Sequence, residues 1–381
     1  MTTLSGISRA KIPPCQEASS GILKIEMTTL STTSAGTCAA ADSQLARPTM
    51  RDVAALAGVS LKTVSRVVNR EDGVSDDLAA KVERAAAQLD YRPNLTASNL
   101  RRSDRKTATW GLLLEDVANP FSSAVHRGVE EVARELGVAV FAASMDEDPE
   151  RERELVATFS SRRVDALIIA PTATEHAYLA TEVRNGIAVV FVDRPPLSID
   201  ADCVVTDNRQ SAAAATRHLI DHGHKRIAFI GDFASITTAN ERYLGFVDAM
   251  AAAGVQVHPE LVIRDVHDPA QSAKAIGSIL RLSNPPTAMF TAQNLITMGA
   301  VEALRDAGAQ HSIALVGFDD FAMANLLDPA VTVMAQDPRA IGRLAATLVN
   351  ERLAHPGAAV GMHVVPSILI PRGSGEIGPQ A

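Results

Sequence analysis

The stretch from Thr49 to Asn69 confines the chain to one local shape, two short amphipathic helices joined by a sharp turn. Thr49 and Asp52 stand at capping-box spacing for the start of the first helix. Val53, Ala54, Leu56 and Ala57 supply that helix with an apolar side. Gly58 has no Cβ and can take the left-handed backbone that ends a helix, Val59 plugs the angle, and Ser60 caps the next helix. In the second helix Val64, Val67 and Val68 recur at helical spacing and face inward. Leu61, Lys62, Thr63, Ser65, Arg66 and Asn69 are left outside.

This helix-turn-helix spacing, with a polar second face, suits the major groove of DNA. Lys62 and Arg66 can donate to guanine N7 and O6, and Leu61 can touch a thymine methyl, so these three are the candidate base readers. Thr63, Ser65 and Asn69 are candidates for holding phosphate, and Thr49, at the start of the motif, is a further candidate DNA contact. The plainer alternative is a solvated face of a small helical hairpin. Ser75 opens a third helix with Leu78, Val82, Ala85, Ala86 and Leu89 as its stripe, and Asp76 and Asp77 complement its N-terminus. Charge supports the DNA reading. From Arg47 to Lys106 there are twelve Lys and Arg against eight Asp and Glu, whereas the whole chain carries a net charge of -8. The basic end would face a polyanion, and the acidic remainder cannot sheathe one.

Beyond Tyr91, Pro93 breaks helix continuation and Asn94 can cap one more short turn before Leu100, Arg101 and Arg102. This segment and the Thr49–Asn69 motif together resemble the lactose-repressor (LacI/GalR) family of bacterial transcription regulators, over about Pro48 to Ile370. The resemblance implies a hinge helix that orders on operator DNA and a leucine, here Leu100, wedged into the minor groove. Asn94 and Arg101 join the candidate DNA contacts on the same ground. An ordinary core leucine is the alternative for Leu100.

After Lys106 the pattern alternates. Gly111–Leu114, Val138–Ala142, Ala166–Ala170, Val189–Asp193 and Ile227–Ile230 read as buried strands, and Val125–Leu136, Gln210–His222 and Asn240–Ala253 read as helices. Such alternation predicts parallel sheet covered by helices on both faces. The segment exceeds what one sheet needs, which points to two lobes. The resemblance implies a periplasmic-binding-protein-like core with crossover strands.

Ligands of open parallel sheets sit beyond the carboxyl ends of the strands, where this chain places a polar set. Asn119 and Phe121 follow the first strand, Asp193 and Arg194 the fourth, Asn240 and Arg242 open a helix after Gly231, Gln293 and Asn294 follow Phe290, Asp319 follows Phe318, and Gln336 follows Val333. Carboxylates and amides take paired hydroxyls, Arg donates to ring oxygens, and Phe121 offers a face to C–H groups, so a sugar fits. Singly, each has a plainer role: Asn119 before Pro120 forms turns, Asp193 can start a loop, and Asp319-Asp320 can cap a helix. The resemblance extends to relatives that bind ribose-like sugars and implies ligand roles for Asn119, Phe121, Asp193, Arg194, Arg242, Asp319 and Gln336. Gln293-Asn294 stands where such relatives carry Asn-Asp, which removes a carboxylate, and Glu115-Asp116 adds two charges near the first strand end.

Other features bound the function. His222-Gly223-His224 resembles a metal site but reads better as a helix end, with Gly223 beyond the last turn, so no metal or other cofactor is expected. Cys15, Cys38 and Cys203 show no paired spacing, which suggests a reducing, cytoplasmic setting. No apolar run suits export or a membrane. A sugar-binding transport protein would need an export signal and has no use for the opening motif. No nucleophile elbow, phosphate loop or dinucleotide fingerprint marks an enzyme. The expected organisation is a disordered leader over 1–46, an all-α DNA-binding domain over 47–92, a hinge over 93–107, a two-lobed α/β effector-binding and dimerisation core over 108–370, and a flexible tail over 371–381. The expected function is that of a homodimeric repressor, binding a pseudo-palindromic operator and controlled by a small sugar, ribose or another pentose first. The tail lacks heptads, so a dimer rather than a tetramer is expected.

Overall fold

The computed structural model describes residues 47–69, 71–92, 106–173 and 175–380. The expected leader and the greater part of the hinge, with Asn94, Leu100 and Arg101, lie outside the described residues. The chain divides into two compact units, Met1–Pro93 and Asn94–Ala381.

The described part of the first unit holds three helices, α1 (Met50–Ala57), α2 (Leu61–Val68) and α3 (Asp76–Gln88). Thr49 donates from its backbone N and from Oγ1 to Asp52 Oδ2, both at 2.7 Å. The first of these bonds holds the Asp52 carboxyl below the usual range. Gly58 takes φ 65° and ψ 35°, and Ser60 Oγ accepts from Thr63 N at 3.1 Å, so the chain turns as its sequence requires. Val53, Ala54, Val64, Val82 and Ala85 close the core, with Val59, Val67, Val68 and Leu89 packed on it. Leu56 and Leu78 depart from expectation: they are 45% and 38% exposed. A core of three short helices covers only a narrow stripe of each helix, and both side chains fall outside it.

The second unit is a doubly lobed α/β structure. Its chain runs β1 (Thr109–Leu114), α4 (Pro120–Glu135), β2 (Ala139–Ser144), α5 (Pro149–Ser161), β3 (Ala166–Ile169), α6 (Ala180–Arg184), β4 (Ala188–Val192) and β5 (Asp202–Thr206). It continues through α7 (Asn208–Asp221), β6 (Ile227–Ile230), α8 (Thr237–Ala252), β7 (Val262–Ile263), α9 (Pro269–Ile279), β8 (Ala288–Thr291), α10 (Asn294–Asp306), β9 (Ala314–Phe318) and β10 (Thr332–Ala335), and ends with α11 (Pro338–Ala354), β11 (Met362–Val365) and β12 (Ile368–Ile370). Two six-stranded sheets result, in the orders β11-β5-β4-β3-β1-β2 and β12-β10-β9-β8-β6-β7. All pairings are parallel except β12 with β10.

The inner strands β1, β3–β6 and β8–β10 are buried and largely apolar because helices cover both faces and leave no polar side. Ala166–Ile169 and Ile227–Ile230, for example, are buried throughout. Val138–Ala142, expected as a buried strand, instead falls on the sheet edge β2 with Phe141 46% exposed, and β11 at the opposite edge is open too. The chain passes between the lobes three times, after β5, after β10 and after β11. Ser367 N donates to Asp207 Oδ1 at 3.0 Å, which ties the first crossing to the third. In the first lobe α4 and α11 pack backbone to backbone: a Cβ on Gly128 would lie 2.3 Å from the Arg339 carbonyl oxygen, and one on Gly342 2.1 Å from that of Val125.

Residues 371–380 do not form the flexible tail expected from their Gly and Pro content. Ser374 and Gly375 are buried, and Ser374 Oγ donates to Leu315 O at 2.6 Å while accepting from Thr332 N at 2.9 Å. The segment finishes the second lobe by bonding to β9 and β10, an interaction that local composition does not encode.

Candidate functional site

In the first unit Leu61, Lys62 and Asn69 are exposed along α2, and Thr63, Ser65 and Arg66 are half-buried. Val64 is fully buried and pins the helix to its neighbours. Thr63 is already engaged with the cap, its Oγ1 lying 2.9 Å from Ser60 Oγ. Asn69 Nδ2 donates to Ser65 Oγ at 3.4 Å and to Glu71 Oε1 at 3.3 Å. Thus Leu61 and Lys62 stand forward at the start of the helix, with Arg66 further along it and the hydroxyl and amide groups beside them.

In the second unit the strand ends converge. Glu115, Asn119, Phe121, Asp193 and Arg194 from the first lobe meet Asp232, Ile236, Thr238, Ala239, Arg242, Gln293, Asp319 and Gln336 from the second or its crossing, around one cleft that opens to solvent. Eight of the ten strand-end residues expected at a ligand site therefore line one cleft, and a ninth, Asn294, bonds to the lining residue Asn119. Asn240 does neither. Its Oδ1 accepts from Arg264 Nη2 at 3.1 Å. Thr238 and Arg242 are four apart on α8 and share the cleft face, whereas Asn240 lies halfway between them and points elsewhere. Asp232 was missed, although the rule that found the others would have found it: it follows β6 by two residues.

Each polar group is held. Asn119 caps α4, its Oδ1 accepting from Phe121 N at 2.9 Å. Asp193 and Asp319 both adopt left-handed backbone, φ 66° and 70°, at the ends of β4 and β9. Residues other than glycine take this conformation rarely, and two such turns aim carboxylates off strand ends. Arg194 is buried and donates to both oxygens of Glu147, from Nη1 at 2.9 Å, and to Pro171 O at 3.1 Å. Burial opposes its charge, but Glu147 and then Asp193 more than restore it and raise its pKa. Arg242 donates from Nε to Asn208 Oδ1 at 2.7 Å and from Nη1 to Ala292 O at 2.8 Å, with its guanidinium 3.9 Å from the Phe318 ring centre. Asp319 Oδ1 accepts from Gln336 Nε2 at 2.6 Å, and burial pushes its carboxyl above the ordinary value.

Among the described residues, two contacts join the lobes across the cleft. Asn294 Nδ2 donates to Asn119 Oδ1 at 3.0 Å. His267 lies between the lobes, with Nδ1 2.9 Å from Asp232 Oδ1 and Nε2 3.3 Å from Glu115 Oε1. The hydrogen bond to Asp232 raises His267 to about 9, and burial followed by the charge of Glu147 raises Glu115 to about 7. Three lining side chains keep a buried polar atom without a hydrogen-bond partner: Arg194 Nε, which faces Asp193 Oδ2 at 3.4 Å as an ion pair only, Gln293 Oε1 and Gln336 Oε1. Buried polar atoms are seldom left so, and a donor and two acceptors around one cavity suit a ligand that both accepts and donates hydrogen bonds.

These two sites, a helix-turn-helix face and a polar interlobe cleft, define a class of ligand-responsive DNA-binding protein. Residues 49–94 match the model for bacterial regulatory proteins of the lacI family, and residues 107–371 that for periplasmic binding proteins and the sugar binding domain of the LacI family. The chain belongs to the LacI family of transcription regulators. It is 32% identical to the ribose operon repressor of Escherichia coli (strain K12), over 86% of this chain and 99% of that protein. It is 29% identical to the HTH-type transcriptional repressor PurR of Aliivibrio fischeri (strain MJ11), over 80% of this chain and 91% of that protein. The crystal structure of the Lac repressor dimer bound to operator and the anti-inducer ONPF is 26% identical and superposes with a TM-score of 0.76, over 87% of this chain and 99% of that one.

Proposed function

We propose that this regulator is a repressor that grips a pseudo-palindromic operator as a homodimer and answers to a small sugar held in the interlobe cleft, with ribose or another pentose first in order. Lys62, Arg66 and Leu61 read bases, Thr63, Ser65 and Asn69 hold phosphate, and Thr49 is a further DNA contact. In the hinge Asn94, Leu100 and Arg101 join them. Asn119, Phe121, Asp193, Arg194, Arg242, Gln293, Asp319 and Gln336 hold the effector.

The observation that carries the effector class is the set of buried polar atoms on Arg194, Gln293 and Gln336 that have no hydrogen-bond partner. Hydroxyl groups, which donate and accept at once, satisfy all three. Four carboxylates and two guanidiniums line the cleft, a balance unfavourable to a phosphorylated ligand. Phe121 is the one aromatic ring among the lining residues, where a flat base would favour a ring on each face. A sugar that prefers one lobe arrangement shifts the operator-binding equilibrium, and DNA alters sugar affinity by the same factor, with couplings typically about 1–3 kcal/mol.

A thermal-shift screen of pentoses, hexoses, purine bases and nucleosides tests the effector, since a site ligand at about 100 times its Kd adds about 2.7 kcal/mol. A pentose should raise the melting midpoint and change the affinity for duplexes from the chain's own promoter region. A shift with bases alone, or a pentose shift that leaves operator affinity unchanged, overturns the reading.

A further inference from the structure

We propose that His218, His222 and Glu376 form a binding site for a divalent transition ion, zinc in the first instance, which clasps the C-terminal segment to the end of helix α7. The sequence pattern draws the eye to His222-Gly223-His224, but the structure separates that pair. His224 is fully buried with both ring nitrogens engaged, Nδ1 2.9 Å from Thr287 Oγ1 and Nε2 2.7 Å from Ile377 O. His222 stands instead beside His218, one helical turn earlier, with ring centres 4.4 Å apart. Residues four apart on a helix share a face, the spacing by which two imidazoles can serve one ion.

Tautomer and geometry argue for a cation at this point. His222 Nδ1 lies 2.8 Å from the His218 carbonyl oxygen, which can only accept, so Nδ1 carries the proton. A ring N–H donated to a backbone carbonyl is the usual support of a metal-binding histidine, because it fixes the ring and leaves Nε2 as a lone pair. That Nε2 faces Glu376 Oε2 at 2.8 Å. His218 Nε2 lies 3.2 Å from Glu376 Oε1 and is buried without a hydrogen-bond partner. One proton on His222 satisfies that ring but leaves His218 with only a poorly aligned contact to Glu376, whereas one ion accepts all three lone pairs. The three ligand atoms lie within 4.8 Å of one another. Tetrahedral zinc with bonds of about 2.0–2.1 Å sets its ligands roughly 3.3 Å apart, so small rotations complete the site and water fills the fourth position.

The third ligand arrives on a fixed backbone. Ser374 is bonded to Leu315 and Thr332, and Gly375 N donates to Thr332 Oγ1 at 3.0 Å, which delivers Glu376 to α7 without help from an ion. Glu376 also lies beyond residue 371, where the match to the family's sugar binding domain ends. Helix α7 starts at Asn208, the partner of Arg242 in the cleft, and the histidine pair closes its other end.

The test is zinc titration of the tag-free full chain by calorimetry, with cobalt as a spectroscopic reporter. One saturable site per chain is expected, with cobalt bands of a nitrogen and oxygen set and no thiolate charge-transfer band. His222→Ala and Glu376→Gln should each weaken zinc at least tenfold, and His311→Ala, a change at an exposed histidine elsewhere, should leave it unchanged. If His222→Ala fails to fold, Glu376→Gln carries the test, since that side chain is 46% exposed. No saturable binding, binding undiminished by Glu376→Gln, or a thiolate spectrum overturns the proposal.

Discussion

Asn294 Nδ2 donates to Asn119 Oδ1 at 3.0 Å and so joins the N-terminus of α10 in the second lobe to that of α4 in the first. The same Asn119 oxygen caps α4 through Phe121 N, so its acceptor face cannot turn away without losing that cap. In Asn294→Asp a carboxylate oxygen would confront this acceptor in a fully buried place. We expect about tenfold weaker effector binding at neutral pH, the equivalent of about 1.4 kcal/mol. Affinity should recover as the pH falls and the carboxyl takes up a proton. Calorimetry at two pH values reads both effects, and equal affinities for variant and parent would remove this contact from lobe closure.

The Glu115, His267 and Asp232 bridge predicts how stability varies with pH. His267 has its pKa raised from 6.5 to about 9, so its contribution is complete below about 6.5 and is lost as the pH rises through about 9. Glu115, raised from 4.5 to about 7, also binds its proton more tightly in the folded state, so its ionisation lowers stability between those values. The melting midpoint of the chain should fall as pH rises from 7 to 9, and His267→Gln should flatten that part of the curve. A parent midpoint that climbs over this interval would contradict the assignment.

Asp193→Asn tests the cleft without disturbing its backbone, because asparagine tolerates the left-handed turn at φ 66° that alanine would strain. Loss of the charged acceptor should weaken sugar binding by about 1.5–3 kcal/mol. Operator affinity without sugar should stay at the parent value. Fluorescence anisotropy with and without effector separates the two, and an undiminished sugar response would take Asp193 out of the site.

Arg66→Ala addresses the other end of the chain. A base-reading arginine is worth about 1–3 kcal/mol of discrimination. The variant should bind its operator at least tenfold more weakly and should discriminate less at the base pair Arg66 contacts. A uniform loss across all sequences, with a shallower salt dependence, would reassign Arg66 to phosphate.

Much of this fold is legible in the sequence. Helix α2 and its cap follow from Gly58, Ser60 and the valine spacing, and the buried strands follow from uninterrupted apolar runs such as Ile227–Ile230. Strand-end polarity found eight cleft residues because parallel topology alone brings such ends together. What escaped depends on partners distant in the chain. Asn240 was misplaced because strand-end position does not say which way a helix is rotated. The covering of Leu56 and Leu78 depends on how large a three-helix core can grow. The packing of residues 371–380, the Asn119–Asn294 bond and the meeting of His218 with Glu376 join segments far apart in sequence, which periodicity within a window cannot register.

The three crossings bear on how the molecule is made. Strand β11 forms the edge of the first sheet beside β5, and β12 forms the edge of the second beside β10, so neither lobe is complete until residues 362–370 have been made. Arrested nascent chains ending before Met362 should therefore be cleaved readily by protease throughout both lobes, while the three-helix unit resists. The helix-turn-helix unit is thus finished on the ribosome long before the cleft, and the newborn chain passes through an interval in which it can meet the genome with its effector cleft unmade.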